Sequence, residues 1–341
     1  MPCQQPFFVS AIAKKCRQDH ANVLFISMLI TSENTHARSN MTNMSTQDKV
    51  AALLVVVLWG LNFYFIHLGL QDASPLLLGC LRFIFVAIPA VFFIKKPNIP
   101  WRWLIVYGLL ISFAQFTFLF WAIAAGLPTG LAAIVLQAQA FFTIIIAAML
   151  MGERVKSYQI IAMVLAASGL GLIAYGQYEG QLPVFAVFLV VLGAFSWACG
   201  NITVKHIGSL TQTVNPLALV VWGNLICPLP FFIGAVWVDG WEQVQQQLTQ
   251  WSVNRLIALA YLSWVASIIG YGLWGKLMSK YDAASIAPLS LFVPAVALVV
   301  AFLVLHEPLN RWHTIGIVVL AIGLCVHLLL PNWLKSSKIA S

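Results

Sequence analysis

The sequence predicts an all-α integral membrane protein, with ten transmembrane helices arranged as two inverted five-helix repeats. Three observations predict it. Of 341 residues, 61% are hydrophobic and 8% are charged, and the mean hydropathy is +0.91. A water-soluble domain carries about 25% charged residues, so this chain lacks the polar surface to cover a soluble globule. The apolar residues gather in runs near the ~20 residues that cross a bilayer. The second half of the chain also echoes the first.

The runs lie at 50–70, 75–95, 101–124, 129–151, 157–176, 182–203, 215–238, 253–275, 283–305 and 311–331. Most connections are short. The longest, "DGWEQVQQQLTQWSVNR" at 239–255, is polar and is expected to lie at the membrane surface. Residues 1–43 are polar apart from "ANVLFISMLI", which is too short to span. Their basic run precedes an ill-formed apolar core with no clear small-residue cleavage site, which makes a poor signal peptide. "MSTQDKVAALL" from Met44 leads straight into a helix, so residues 1–43 read as a disordered tail or as lying ahead of a start at Met41 or Met44. The two repeats are expected at 44–178 and 179–334, with a cytoplasmic tail at 335–341.

The charges assign the sides. With the N-terminus inside, Lys49, Lys95, Lys96, Arg102, Arg154, Lys156, Lys205, Lys276, Lys280, Lys335 and Lys338 fall on the cytoplasmic side. Arg255 and Arg311 fall outside. That bias is the positive-inside signal, and it puts both termini in the cytoplasm. The net charge of +8 therefore reports topology and contact with a lipid bilayer, not nucleic-acid binding. Cys80, Cys199, Cys227 and Cys325 lie inside apolar runs with no CxxC, so neither a disulfide nor a metal site is expected.

The repeat is visible residue by residue. "PLLLGCLRFIFVAIP" at 75–89 pairs with "PLALVVWGNLICPLP" at 216–230. "GERVKSYQIIAMVLAASGLGL" at 152–172 pairs with "HEPLNRWHTIGIVVLAIGLCV" at 306–326, matching Glu153 to Glu307 and Gly169 to Gly323. Five spans per unit is an odd number, so the second copy enters from the opposite side. Inverted repeats mark many secondary transporters, with substrate near the midplane between the halves.

Polar residues inside the runs are the candidates for a substrate path. Trp59 and Asn62 share a helical face, as do their counterparts Trp197 and Asn201. A lipid-facing amide is costly, so these faces should turn inward. Arg82 is the clear intramembrane charge; it suits a substrate carboxylate, or alternatively anchors to helix-end carbonyls. Its repeat partner is Gly223, so no second arginine forms a clamp. Ser112 and Gln115 sit three apart on one face. Gln137 and Gln139 are two apart and point nearly opposite ways on a helix, so at most one should look fully into a cavity. Ser263, Ser267, Tyr271 and Trp274 form a stripe that reads either as a wall of the path or as helix–helix glue. Ser290 lies between Pro288 and Pro294, where a distorted helix could offer carbonyls to a ligand. Ala162 and Gly169, matching Gly316 and Gly323, give a close-packing face for scaffold or for contact with a second copy in a homodimer. Glu153 and Glu307 read as local caps or as salt-bridge partners of Arg154 and Arg311.

From about residue 46 to 334 the chain resembles the EamA-type drug/metabolite transporters. The resemblance is carried by "LLVVVLWGLNF", "LRF" at 81–83, "ISFAQF" at 111–116, "GLAAIVLQAQAFFT" at 130–143, "FSWACGN" at 195–201, "YGLWG" at 271–275 and "APLSLFVP" at 287–294. Within that family these segments are similar to the bacterial inner-membrane exporters of O-acetylserine and cysteine. The resemblance implies a cell inner membrane exporter of small amino-acid-type metabolites. Export of other amino acids or amphipathic drugs stays open, as does a non-transporting scaffold or enzyme subunit. His67 departs from relatives that carry lysine there.

No HExxH, GxSxG or phosphate-binding loop occurs, so neither an enzyme nor a cofactor is expected. No carboxylate lies mid-membrane. Asp282 and His67 sit near span ends, which suggests facilitated export or exchange over a proton relay.

Overall fold

The computed structural model describes residues 44–151, 155, 157–175, 183–210, 214–280, 289–290, 292–307, 310–312, 314–323 and 325–326. Residues 1–43 and 335–341, Glu153, Asp282 and Pro288 lie outside the described residues.

Among the described residues the chain is helical with no strand. Helix α1 (Thr46–Leu70) starts at Ser45, whose Oγ accepts from the Asp48 N–H at 3.2 Å and donates to its carboxylate at 2.8 Å. The cap satisfies a free N–H, and Asp48 faces the positive end of the helix dipole. Helix α2 (Pro75–Val91) follows Ser74, which accepts from the Leu77 N–H at 3.4 Å, with Pro75 where no N–H is needed. Helix α3 (Trp101–Ala124) is wound as a wider π turn over Gly108–Ala114. One apolar run then forms α4 (Thr129–Leu136) and α5 (Gln139–Met151), interrupted at Gln137 and Ala138. Helices α6 (Ser157–Tyr175) and α7 (Val184–Leu210) follow. Asn215 caps α8 (Pro216–Asn224) through the Leu217 N–H at 3.0 Å, and a turn over 225–227 leads into α9 (Pro228–Asp239). The short α10 (Trp241–Thr249) precedes α11 (253–280), which Ser252 caps through the Arg255 N–H at 3.0 Å. Helix α11 carries a second π segment, Tyr261–Ile269. Helices α12 (Phe292–Val304) and α13 (Thr314–Gly323) complete the bundle.

Six of these helical stretches are long and apolar enough to cross a membrane: Thr46–Leu70, Trp101–Ala124, Thr129–Leu150, Val184–Gly208, Pro216–Asp239 and Val253–Leu277. Pro75–Val91, Ile160–Leu172, Phe292–Val304 and Thr314–Gly323 are shorter apolar helices. Phe93, Met149 and Trp237 are exposed on the outer surface, as a hydrocarbon solvent allows.

Lipid provides no hydrophobic drive between helices, so close packing must hold them. At the α6–α13 crossing a Cβ on Gly169 would lie 2.7 Å from the Gly316 carbonyl oxygen, and one on Gly323 would lie 2.9 Å from that of Ala162. The small-residue face is therefore filled inside the chain. It serves as scaffold and does not offer itself to a second copy.

The two ends of the bundle are tied differently. At the Met44 end, Asp48 pairs with Lys280 at 3.1 Å, joining the start of α1 to the end of α11. At the far end α10 lies across α2, α9 and α11. Ser74 donates to the Asp239 carboxylate and, through its N–H, to Gln247 Oε1 at 2.9 Å. Arg255, expected in an outer loop, is buried and donates to the carbonyls of Asp72 and Gln247. Glu307 corrects the expectation of a local partner. Its carboxylate accepts from the Thr129 N–H at 2.7 Å, the Thr129 hydroxyl at 2.8 Å and the Gly130 N–H at 3.2 Å. It caps α4, a helix of the other half.

Candidate functional site

A cavity of about 420 Å³ opens between α1, α2, α3, α4, α5, α7, α8, α11 and α12. Eleven of the twelve candidate residues line it: Trp59, Asn62, Arg82, Gln115, Gln137, Gln139, Trp197, Asn201, Tyr271, Trp274 and Ser290. Its walls continue toward the Met44 end through Val204 and Pro216.

Helix α1 sets Trp59 and Asn62 one turn apart on the cavity side. The Trp59 indole N–H donates to the Ala266 carbonyl at 3.0 Å, so the residue presents only its ring. That ring meets Tyr271 and Trp274 at centroid distances of 5.2 and 5.3 Å, making an aromatic corner.

Helix α2 brings Arg82 against this wall, with 3% of its surface exposed. Nη2 donates to Asn62 Oδ1 at 3.3 Å and to Ser267 Oγ at 3.5 Å. The guanidinium lies 4.2 Å from the Phe116 ring centroid. Its Nε and Nη1 are buried without a hydrogen-bond partner. No Asp or Glu is among the described residues that line the cavity. An anchoring role requires helix-end carbonyls, whereas the hydrogen-bond partners found are two side chains. At Gly223, the repeat counterpart of Arg82, the Tyr107 ring occupies the place a Cβ would need, at 2.4 Å.

The serine stripe on α11 divides. Ser263 donates to the Arg82 carbonyl at 3.0 Å and ties α11 to α2, whereas Ser267 donates to the Leu262 carbonyl of its own helix at 2.8 Å and meets α2 only by accepting from Arg82 Nη2. Tyr271 and Trp274 face the cavity.

Two expectations fail for one reason, that the helices are not regular α where they meet the site. Gln137 and Gln139 both line the cavity. The Gln137 N–H donates to the Ile134 carbonyl and the Ala138 N–H to that of Val135, each three residues back, and this break in the helix lets both residues line the cavity although their amides bond to different neighbours, Ser290 and Asn201. Ser112 does not line the cavity. The i→i+5 winding of Gly108–Ala114 turns less per residue, which separates Ser112 from Gln115. Its hydroxyl donates instead to Asn224 Oδ1 at 2.5 Å, and both residues are buried between α3 and α8.

At the amide side of the cavity Asn201 Nδ2 donates to Gln139 Oε1 at 2.8 Å and to Thr143 Oγ1 at 3.3 Å. Gln137 Nε2 reaches the Ser290 carbonyl at 3.5 Å. Sequence reasoning does not find the apolar walls, Phe63, Tyr107, Ile111, Phe116 and Leu119. An apolar residue in an apolar run carries no mark of the face it takes.

Comparison with known proteins gives a consistent result. The EamA-like transporter family is matched over residues 49–175 and again over 184–329. The chain is 44% identical over 299 residues to a probable amino-acid metabolite efflux pump of Escherichia coli (strain K12), covering 87% of this chain and 100% of that protein. A probable amino-acid metabolite efflux pump of Salmonella typhimurium is 44% identical over 285 residues, which is 83% of this chain and 95% of that one. A probable terminal-alkyne amino-acid exporter of Streptantibioticus cattleyicolor is 27% identical over 184 residues, covering 53% of this chain and 57% of the exporter. A crystal structure superposes with a TM-score of 0.58 at 16% identity, over 86% of this chain and 100% of that one, which shows the fold alone. With two matches that together span most of its length, this chain belongs to the EamA-like transporter family.

Proposed function

We propose that this protein exports small amino-acid-type metabolites across the inner membrane by alternating access, with the cavity as the binding chamber. One observation carries the reading. Arg82 is a buried cation at the cavity wall, its two hydrogen bonds are long, and two of its nitrogens have no partner. An uncompensated buried charge costs several kcal/mol. A substrate carboxylate offsets that cost with shorter, charge-assisted bonds. The relatives named as amino-acid metabolite efflux pumps support the same cargo class. Within that class the resemblance in sequence supports O-acetylserine and cysteine. In this reading Trp59, Asn62, Arg82, Gln115, Gln137, Gln139, Trp197, Asn201, Tyr271, Trp274 and Ser290 contact cargo, while Ser112 supports α3.

The fold proposed for the membrane is ten spans in two inverted repeats. It is supported by the paired family matches and by π segments in the third and eighth spans, α3 and α11. The reciprocal glycine contacts of α6 and α13 support it as well. The positive-inside bias supports cytoplasmic termini, so in this reading the Met44 end, toward which the cavity walls run through Val204 and Pro216, faces the cytoplasm and cargo loads there.

A second reading, cargo with a bulky apolar side chain, is favoured by the volume. About 420 Å³ holds some fourteen waters at ~30 Å³ each. That exceeds the needs of cysteine and leaves the aromatic corner for a ring or alkyl group. Efflux of labelled amino acids from proteoliposomes, repeated with Arg82→Ala, separates the readings. Loss of all carboxylate cargo in the variant supports the proposal, and unchanged efflux refutes it. An imposed pH gradient in the same vesicles tests facilitated export, because acceleration would show proton coupling.

A further inference from the structure

We propose that Glu307 is the latch at the far end of the cavity: while its carboxylate caps α4 the path is shut on that side, and its release opens it. The proposal rests on the cavity being the transport path.

Helices α4 and α12 both line the cavity, with Ala133 and Val293, and both run on to the end opposite Met44. One turn beyond Ala133, Gly130 lies flush against α12. A Cβ there would stand 2.8 Å from the Leu298 side chain and 3.1 Å from that of Ala301. Thr129, Leu131 and Ala132 beside it are buried. The α4–α12 seam is therefore closed from Gly130 to Ala132, beside the buried apolar core of Ile66, Leu78 and Phe120 that fills the rest of this end.

Glu307 closes that seam. Both of its carboxylate oxygens accept hydrogen bonds from the first residues of α4, three bonds in all. A carboxylate suits this place, since the first N–H groups of a helix have no internal acceptor and carry the positive end of its dipole. The chain turns sharply to deliver it. His306 has φ 52°, the one positive φ of a non-glycine among the described residues. Side chains disfavour that left-handed backbone, so contacts made elsewhere must hold it. The carboxylate links residues 178 apart in sequence, from the end of α12 to the start of α4. These helices cannot part on this side while the cap is made. The other polar ties at this end, Ser74 to Asp239 and Arg255 to Asp72, gather under α10 and lie off the cavity wall.

The test uses the full chain with its six cysteines replaced and Ala133→Cys as a reporter at the closed end of the cavity. A membrane-impermeant thiol reagent is applied to intact cells or to inverted vesicles. In the parent, labelling is fast from the Met44 face and slow from the opposite face. Glu307→Ala should raise the slow rate about tenfold, the size of effect that loss of a helix cap produces. Glu307→Gln keeps one acceptor oxygen and should give a smaller rise. Gly130→Val, which wedges the seam with Glu307 intact, should also raise it. An unchanged far-side rate in Glu307→Ala, with near-side labelling intact to show the fold is kept, overturns the latch. A parent that labels from neither face overturns the cavity as a path, and the latch falls with it. Because the readout needs no substrate, a wrong cargo assignment leaves it unaffected.

Discussion

Replacing Arg82 with methionine removes the guanidinium and keeps much of its volume. The arginine is 3% exposed, bonds only at 3.3 and 3.5 Å, and leaves Nε and Nη1 unpartnered. An apolar residue of similar size in place of a buried charge is often neutral or stabilising by about 1–4 kcal/mol. Thermal stability of the purified variant without ligand should therefore hold or rise. Ligand binding should move the other way. A hydrogen bond to a charged group contributes about 1.5–3 kcal/mol, so affinity for a carboxylate should fall roughly ten- to hundredfold. Thermal unfolding with increasing amino acid reads both effects, because saturating ligand at about a hundred times its Kd stabilises by about 2.7 kcal/mol. The parent should show that shift with a free carboxylate and lack it with the corresponding amide. Arg82→Met, at one to ten times its own weakened Kd, should show only about 0.4–1.4 kcal/mol at the same concentration. An equal ligand shift in parent and variant, or an Arg82→Met protein that unfolds in membranes, would refute the carboxylate assignment and make Arg82 structural.

Ser112→Ala leaves Asn224 buried without its donor, so stability should fall by about 1–3 kcal/mol while cargo preference stays unchanged, as thermal unfolding and a competition panel would show. Trp274→Ala opens the aromatic corner and should cost affinity for bulky side chains more than for small ones, read from the ratio of inhibition constants across that panel. Gly169→Leu places a side chain where a Cβ already meets backbone at 2.7 Å, so the yield of folded protein should drop sharply while cargo selectivity of the remainder is kept. Lys280→Ala removes an ion pair whose lysine is exposed and whose Asp48 is buried but keeps its bonds to Ser45, and should lower stability by about 1 kcal/mol.

Much of this molecule is legible in its amino-acid order. Apolar runs mark the helices, and Ser45 and Ser74 ahead of such runs mark two starts. A tryptophan leading an asparagine by about one turn, twice, marks the cavity side of α1 and α7. Regular spacing misleads where winding departs from α. Ser112 lies inside a π turn, and Gln137 lies at a break held by three-residue bonds. Neither departure has a composition of its own, since wide and regular turns use the same apolar residues. Glu307 escapes a sequence reading for a different reason. Local charge reasoning searches neighbours along the chain, whereas its partners, Thr129 and Gly130, come from the other half. Arg82 stands out as a charge in an apolar run, but only packing shows that no carboxylate among the described cavity residues comes to meet it.

Where α6 crosses α13, main chain rests directly on main chain, with no side-chain cushion between. Around these points the side chains of Ala162, Ala166, Ile317 and Leu320 pack together, and the close approach leaves no room for one of them to pass. The crossing behaves as an axle: the remaining helices can tilt about it, but this pair cannot slip past itself. The travelling parts must lie elsewhere in the bundle, and the bearing stays at its edge.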